Sequence, residues 1–126
     1  MYSKQVSEHI SNPRNVGEID DPAGVGDVTN QVCLDRIRLT IKITNDVLTE
    51  AKFKANGCPP TIAAASVLTE LAAGRTVADA KSLSRVDITD ALGRLPAAKM
   101  HCAILAIDAL QAALDDAMRK RQSFDE

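Results

Sequence analysis

The amino-acid sequence predicts an α+β domain in which helices pack on one face of a small three-stranded antiparallel sheet. Isoleucine and leucine alternate with charged and polar residues from Ile37 to Ile43, which is the two-residue period of a half-buried strand. A second alternation from Leu48 to Ala55 follows the turn residues Asn45-Asp46 and predicts the partner strand of a hairpin. Helical patterns come after these strands, and that order is typical of α+β domains.

Each remaining element is predicted from capping residues and from apolar residues spaced three or four apart. Pro59-Pro60 opens the first helix after the sheet, and Gly74 caps its end. In chain order, the predicted segments are a helix over Ser3–Ser11 capped by Ser3 and stopped by Asn12-Pro13, an exposed loop over Asn15–Val25, an edge strand over Gly24–Gln31, and helices over Thr61–Ala73, Thr76–Leu83, Asp87–Leu92 and Ala98–Arg121. The predicted buried stripe of the long last helix is Met100, Ile104, Ile107, Leu110, Leu114 and Met118.

Length and composition limit the classes of function. The chain has 126 residues, which suits a single domain over residues 1–126. Aromatic residues make up 2% of it and the net charge is −2, so we expect no nucleic-acid partner. No apolar run approaches the about 20 residues of a membrane span, so no membrane partner is expected either. The first residues lack the apolar stretch of a signal peptide, which predicts a cytoplasmic location.

The cysteines are the candidate functional residues. There are three of them, Cys33, Cys58 and Cys102, and an odd number argues against a disulfide framework. No two form a CxxC pair, so their spacing alone is weak support for a metal site. Cys58 precedes a predicted helix and Cys102 lies in the first turns of another, where free N–H groups and the helix dipole favour a thiolate. The plainer alternative is that each cysteine fills a core.

Two other side chains lie beside these cysteines in the sequence. Asp35 is two residues from Cys33 and faces the same side in an extended segment; the alternative is a charged strand edge that discourages aggregation. His101 is either a surface imidazole or a ligand, since neighbours on a helix diverge by about 100° unless the first turn frays. His9, on the short first helix, is expected to be solvated.

Four stretches together resemble a known family over nearly the whole chain. They are NPRNVG at Asn12–Gly17, the segment Cys33-Leu34-Asp35, AKFKANGC at Ala51–Cys58, and LPAAKMHC at Leu95–Cys102. Each is similar to a motif of the iron–sulfur cluster assembly scaffolds of the IscU and NifU N-terminal type, in the family's order. The resemblance implies the fold of that family, with a long C-terminal helix, and a scaffold or carrier rather than an enzyme.

The resemblance also implies the site and its partners. Cys33, Cys58 and Cys102 would hold a 2Fe–2S cluster during assembly, with Asp35 or His101 as fourth ligand or as an aid to transfer. The same pocket would take iron or zinc. Sulfur would come from a cysteine desulfurase as persulfide, with Cys102 as the main receiver, and apoproteins would accept the cluster. Leu95–Lys99 would be the contact for a specialised chaperone pair. Three thiolates with one harder ligand suit a site that exchanges its cluster.

Three positions depart from the family's pattern. Leu34 replaces the glycine of CGD, which removes φ freedom and adds an exposed apolar side chain. Pro59-Pro60 follows Cys58 where small flexible residues are expected, and Leu95–Lys99 lacks one proline and a valine. A shorter proline segment is less preorganised in the extended form that suits groove recognition, which weakens the prediction of chaperone binding.

Other hypotheses remain open at this point. One is a zinc-bound persulfide acceptor of the SufU type, in which Cys33, Asp35, Cys58 and Cys102 complete a tetrahedral site. Another is a thiol hydrolase or transferase with Cys102 as nucleophile and a histidine as base. The chain shows no glycine-rich nucleophile motif, and we expect His101 to point poorly toward Cys102, so this reading is the weakest of these. A structural paralogue with idle cysteines is a further alternative.

Overall fold

Three antiparallel strands in the order β1-β2-β3 form the centre of the protein, as a computed structural model describes it for residues 2–31 and 34–125. They are β1 at Gly24–Thr29, β2 at Arg36–Thr44 and β3 at Val47–Asn56. One face of the sheet packs on two helices, and the opposite face carries salt bridges such as Arg38 to Glu18. The predicted α+β class and all three predicted strands are confirmed.

A tight turn and a bulge set the register of the β2–β3 hairpin. Asn45 and Asp46 have φ angles of 53° and 66°, the pair of left-handed conformations that a two-residue type I′ turn requires. The register then shifts beside Ile43, which pairs with Leu48, while Lys42 pairs with Glu50. The extra residue of this bulge explains why Leu48 and Ala51 are both buried although three positions separate them.

Five helices and one 3₁₀ turn complete the described part of the chain: α1 at Lys4–Ser11, α2 at Pro59–Ala72, α3 at Val77–Lys81, α4 at Arg85–Ala91, the 3₁₀ turn at Ala97–Lys99, and α5 at Met100–Asp125. The Ser3 hydroxyl accepts a hydrogen bond from the Val6 N–H at 3.0 Å, so the predicted cap of α1 is confirmed. The helix predicted to begin at Asp87 begins two residues earlier, because Ser84 caps it and Asp87 closes the capping box. Helix α2 ends at Ala72 and its C-cap residue is Ala73, so the predicted cap at Gly74 is one residue too late; Gly74 follows the cap with φ of 89°.

The predicted buried stripe of α5 is partly wrong. Leu110 and Leu114 are buried as predicted, but Ile104 is 41% exposed. The buried face consists mainly of small residues, namely Cys102, Ala103, Ala106, Ala109, Ala113 and Ala117. Helix α5 lies directly on the backbone of β1, so close that a Cβ at Gly26 would be 2.0 Å from the Ala109 carbonyl oxygen. Only alanine-sized side chains fit between a strand and a helix at that distance.

The stretch Ala97–Lys120 is long and apolar enough, by length and composition alone, to cross a membrane. A core helix of a globular domain has the same composition. Here the alanines of α5 pack against β1 and β2, and this packing accounts for the apolar character of the helix.

The loop before β1 is mostly exposed, as predicted, with one buried residue. Ile19 is 7% exposed, and its N–H donates a hydrogen bond to the buried Thr40 hydroxyl at 3.0 Å. Earlier in the loop, the Gly17 N–H donates to the Phe53 carbonyl at 2.8 Å. The loop therefore runs along β3 and over the sheet rather than into solvent.

Candidate metal centre

Four side chains of the types that bind metals come from three parts of the chain and meet at one end of the sheet: Asp35, Cys58, His101 and Cys102. Asp35 immediately precedes β2, and Cys58 is the N-cap residue of α2 just after β3. His101 and Cys102 lie in the first turn of α5. One ligand atom from each lies within 4.8 Å of all the others.

Four of the six separations between these ligand atoms match a tetrahedral metal site. Cys58 Sγ lies 3.8 Å from Cys102 Sγ and 3.7 Å from Asp35 Oδ2. His101 Nε2 lies 3.3 Å from Asp35 Oδ2 and 3.5 Å from Cys102 Sγ. Metal bonds of about 2.0 Å to nitrogen or oxygen and about 2.3 Å to sulfur place ligands of a tetrahedron about 3.3–3.8 Å apart. The donor set of two sulfurs, one nitrogen and one oxygen therefore fits zinc or iron.

Asp35 is not the exposed charge of a strand edge, because its side chain is buried against the start of α2. Its Oδ2 accepts a hydrogen bond from the Thr61 hydroxyl at 2.9 Å. Its Oδ1 lies where a side chain of residue 57 would stand, and Gly57, with φ of 154°, leaves that space free. Burial alone raises the pKa of Asp35, but hydrogen bonds from Thr61, His101 and Cys58 outweigh it and lower the pKa below its usual value. The carboxylate is therefore charged and aimed at the thiols.

The prediction that the position of Cys102 favours a thiolate is wrong for the metal-free protein. Cys102 is fully buried, and that burial raises the pKa of its thiol to about 12, an effect that charge on Cys58 and Asp35 increases and the Thr61 hydroxyl opposes. Desolvation exceeds the effect of the helix terminus here. A metal must therefore displace the Cys102 proton when it binds.

His101 reaches the centre although it is next to Cys102 in the sequence. Its imidazole contacts both Cys102 and Asp35 from the first turn of a regular helix, so the expectation that it points poorly toward Cys102 is wrong. The side chains of neighbouring helical positions diverge, but the imidazole is long enough to reach back to Cys102. The backbone positions alone do not predict this contact.

Thr61 is a polar residue of the centre that sequence reasoning missed. It is fully buried, and its hydroxyl lies 3.3 Å from Cys102 Sγ and 3.4 Å from Cys58 Sγ, besides its bond to Asp35. The signal for it is its position three residues after the N-cap Cys58, which places both on the same end of α2.

Cys33 lies outside the described residues, so its place in the centre stays a prediction. Its neighbour Leu34 is 70% exposed, as expected of an apolar replacement for glycine. The expected loss of φ freedom did not prevent the left-handed conformation, since Leu34 has φ of 62°. The backbone at Leu34 thus keeps a glycine-like conformation without the glycine.

His9 is not solvated as expected and stands apart from the centre. It is 8% exposed, with Nδ1 2.7 Å from the Ser66 hydroxyl and Nε2 3.4 Å from Glu70. These contacts join α1 to α2. Burial lowers the pKa of His9, although the Glu70 charge opposes the shift.

The predicted chaperone segment Leu95–Lys99 is not extended throughout. Leu95 is buried, and Ala97–Lys99 form a 3₁₀ turn that leads into α5. Ala97 and Ala98 are exposed.

The fold and the centre define a class: a small α+β domain that gathers thiol, imidazole and carboxylate donors at the start of its two longest helices. The family model of the NifU-like N terminal domain matches residues 1–123, and the chain belongs to that family.

Relatives agree with this assignment, and a solved structure agrees with the fold. The iron–sulfur cluster assembly scaffold protein IscU 1 of Archaeoglobus fulgidus is 45% identical over 125 residues, covering 99% of this chain and 82% of the relative. IscU of Azotobacter vinelandii is 42% identical over 124 residues, covering 95% of this chain and 96% of the relative. The crystal structure of FiSufU from Fervidobacterium islandicum superposes with a TM-score of 0.77 at 20% identity, over 90% of this chain and 96% of that one. The last likeness supports the fold alone.

Proposed function

We propose that this protein is a scaffold that binds iron and sulfide, holds them as an iron–sulfur cluster during assembly, and then releases the cluster to acceptor proteins. The observation that carries this proposal is the convergence of two thiols, an imidazole and a carboxylate at tetrahedral ligand spacing. Membership of the NifU-like family and the scaffold names of its relatives support it. The role is that of a carrier rather than an enzyme.

The cargo we propose is a 2Fe–2S cluster. Cys58 and Cys102 supply two thiolates, and Cys33 supplies the third. Asp35 or His101 completes the set with a harder oxygen or nitrogen donor. Permanent clusters of this type favour four thiolates, so one harder donor makes a site that gives up its cargo more readily.

Sulfur arrives, in this proposal, from a cysteine desulfurase as a persulfide: a thiolate of the centre attacks the outer sulfur, and the desulfurase cysteine leaves as its thiolate. A two-electron reductant, such as two equivalents of free thiol that become a disulfide, then converts the transferred sulfur to sulfide. The sequence favours Cys102 as receiver, whereas exposure favours Cys58, since Cys58 is partly buried and Cys102 fully buried. Both assignments stay predictions. So do a chaperone contact at Leu95–Lys99 and a cytoplasmic location.

The test is anaerobic reconstitution with a cysteine desulfurase, cysteine and ferrous iron. We expect visible sulfur-to-iron charge-transfer absorption in the wild-type protein and its loss in Cys58→Ala and Cys102→Ala. The matched control is Thr69→Val, a substitution at a buried position of α2 away from the centre. We expect this variant to show the same absorption as the wild type. A colourless wild-type product that retains stoichiometric zinc would contradict the proposal.

That contrary result would favour the second candidate, a zinc-bound persulfide acceptor that works with a cysteine desulfurase. The specific observation behind it is that the four described donors have the number and chemical types that a tetrahedral zinc ion takes. Asp35→Ala separates the two functions further. For a cluster scaffold we expect longer retention of the cluster, because the exchangeable ligand is gone, and faster loss would contradict that assignment of Asp35.

A further inference from the structure

We propose that the Thr61 hydroxyl competes with bound metal for the Asp35 carboxylate and thereby keeps the centre exchangeable. The inference rests on the proposed function only in assuming that this centre binds metal. Its basis is the position of Thr61 Oγ1, which lies 2.9 Å from Asp35 Oδ2 and within 3.4 Å of both Cys58 Sγ and Cys102 Sγ. One hydroxyl thus contacts three of the four candidate ligands that the structure describes.

The contested atom is Asp35 Oδ2. This oxygen faces Cys58 Sγ and His101 Nε2, so it is the one placed to bind a metal held between those groups. A threonine hydroxyl has one proton, and Thr61 donates it to the same oxygen. Without metal, that bond satisfies a carboxylate that is only 5% exposed. With metal, the cation takes over this stabilisation and the hydroxyl is left facing sulfur, a weaker acceptor.

Removing the hydroxyl therefore costs the metal-free state more than the metal-bound state. A hydrogen bond to a charged group stabilises the state that contains it. If that bond is lost from the metal-free state alone, the metal-binding constant shifts by about tenfold or more. Removal of the hydroxyl is therefore expected to make metal binding tighter and metal release slower. A residue that only positioned Asp35 would produce the opposite sign.

The surroundings of Asp35 support an energetic role over a positioning one. The side-chain-free Gly57 gives the carboxylate its place, since a Cβ there would lie 2.5 Å from Oδ1 and 2.8 Å from Cγ. The backbone N–H of Cys58, at the start of α2, also bonds to this carboxylate. Both features persist when the Thr61 hydroxyl is absent, so Asp35 remains aimed at the centre.

The experiment compares Zn²⁺ binding by the wild-type protein, Thr61→Val and Thr61→Ser. Competition with a chromophoric chelator measures affinity, and transfer to excess chelator measures the release rate. We expect Thr61→Val to bind Zn²⁺ about tenfold tighter and to release it correspondingly slower, with Thr61→Ser close to wild type because it keeps the hydroxyl. Thr69→Val, the same change at a buried position of α2 remote from the centre, leaves both values unchanged.

Thermal unfolding supplies a second measurement. Thr61→Val lowers the Tm of the metal-free protein more than that of the zinc-loaded protein, whereas a purely structural role lowers both equally. If Thr61→Val does not fold, Thr61→Ala carries the same expectation. Equal or weaker Zn²⁺ binding by the hydroxyl-free variant overturns the inference and leaves the proposed function intact. Failure of the wild type to bind Zn²⁺ or iron at all overturns the proposed function, and the inference with it.

Discussion

Cys58 and Cys102 lie side by side yet differ in accessibility. Cys102 is fully buried with a pKa of about 12, whereas Cys58 is partly exposed at the N-terminus of α2. Because the thiolate is the reactive form, the Cys102 thiol of the metal-free protein is protected both by burial and by its proton.

We predict that iodoacetamide modifies Cys58 at least about tenfold faster than Cys102 in the metal-free protein at pH 7, since Cys58 is the more accessible of the two and burial keeps Cys102 protonated. Mass spectrometry of digested samples taken over time gives both rates. In a denaturant the two rates converge, which is the control. Equal rates under native conditions would mean that the centre opens readily and would contradict the static burial of Cys102.

Leu34 has an unusual backbone for a leucine. Its φ of 62° lies in the left-handed region, which costs a residue with a Cβ about 1–2 kcal/mol, and its side chain is 70% exposed. With so much of the side chain exposed, its burial offsets little of that cost.

Leu34→Gly is therefore expected to raise the free energy of unfolding by about 0.5–1 kcal/mol, because relief of the left-handed strain exceeds the extra entropy of an unfolded glycine. Urea denaturation monitored by circular dichroism measures the change. Leu34→Ala is the control, since it removes the apolar side chain but keeps the strained Cβ. If the alanine variant gains as much stability as the glycine variant, the backbone explanation is wrong.

At the scale of elements, the contact between β1 and α5 depends on glycine. A Cβ at Gly24 would lie 2.1 Å from the Ala113 carbonyl oxygen, and one at Gly26 would lie 2.0 Å from that of Ala109. These neighbours are helix backbone, which cannot move aside as a flexible side chain can. The short distance between strand and helix also explains the alanine-rich face of α5.

Gly26→Ala is predicted to destabilise the protein by about 3 kcal/mol, since the methyl group forces β1 and α5 apart. Differential scanning calorimetry shows the loss as a lower Tm. Gly74→Ala is a suitable comparison: within the described part of the chain, nothing lies within 4 Å of a Cβ added there, and only the φ of 89° resists the change. We expect about 1 kcal/mol there. Equal losses at both positions would argue against steric control of the α5 contact.

At the scale of the whole molecule, stability depends on pH through the buried His9 between α1 and α2. Burial lowers its pKa below the ordinary value of about 6.5, despite the nearby Glu70 and Glu8 charges, and Arg14 adds to the lowering. The folded state then binds fewer protons than the unfolded chain at mildly acidic pH. The stability that His9 contributes is therefore complete above pH of about 6.5 and is lost as the pH falls through the folded pKa.

We predict that the free energy of unfolding falls between pH 7.5 and pH 5 in the wild type, measured by urea denaturation at several pH values. His9→Gln flattens this dependence, because glutamine can bond to Ser66 but does not take up a proton. A wild-type profile parallel to that of His9→Gln over this range would show that His9 does not contribute.

Local features of the chain were predictable because they depend on neighbours in sequence. The alternation of β2, the turn at Asn45-Asp46 and the Ser3 cap of α1 all follow from side chains within a few positions. Which face of α5 is buried could not be predicted in this way, because two of its faces are apolar. The glycines of β1 bring the helix so close that the face with the smaller side chains packs on the sheet. The burial of His9 was equally hidden, because its partner Ser66 is 57 residues away.

By itself, the sequence determined the order of helices and strands, the family resemblance and the identity of the candidate ligands. Tertiary structure alone decided that Asp35, Cys58, His101 and Cys102 meet within 4.8 Å, since that meeting requires the ends of three elements to converge. It also decided that Cys102 is buried and protonated without metal, and that Thr61 belongs to the centre. The physical reason is desolvation and hydrogen bonding by groups far apart in the chain, which local pattern does not encode.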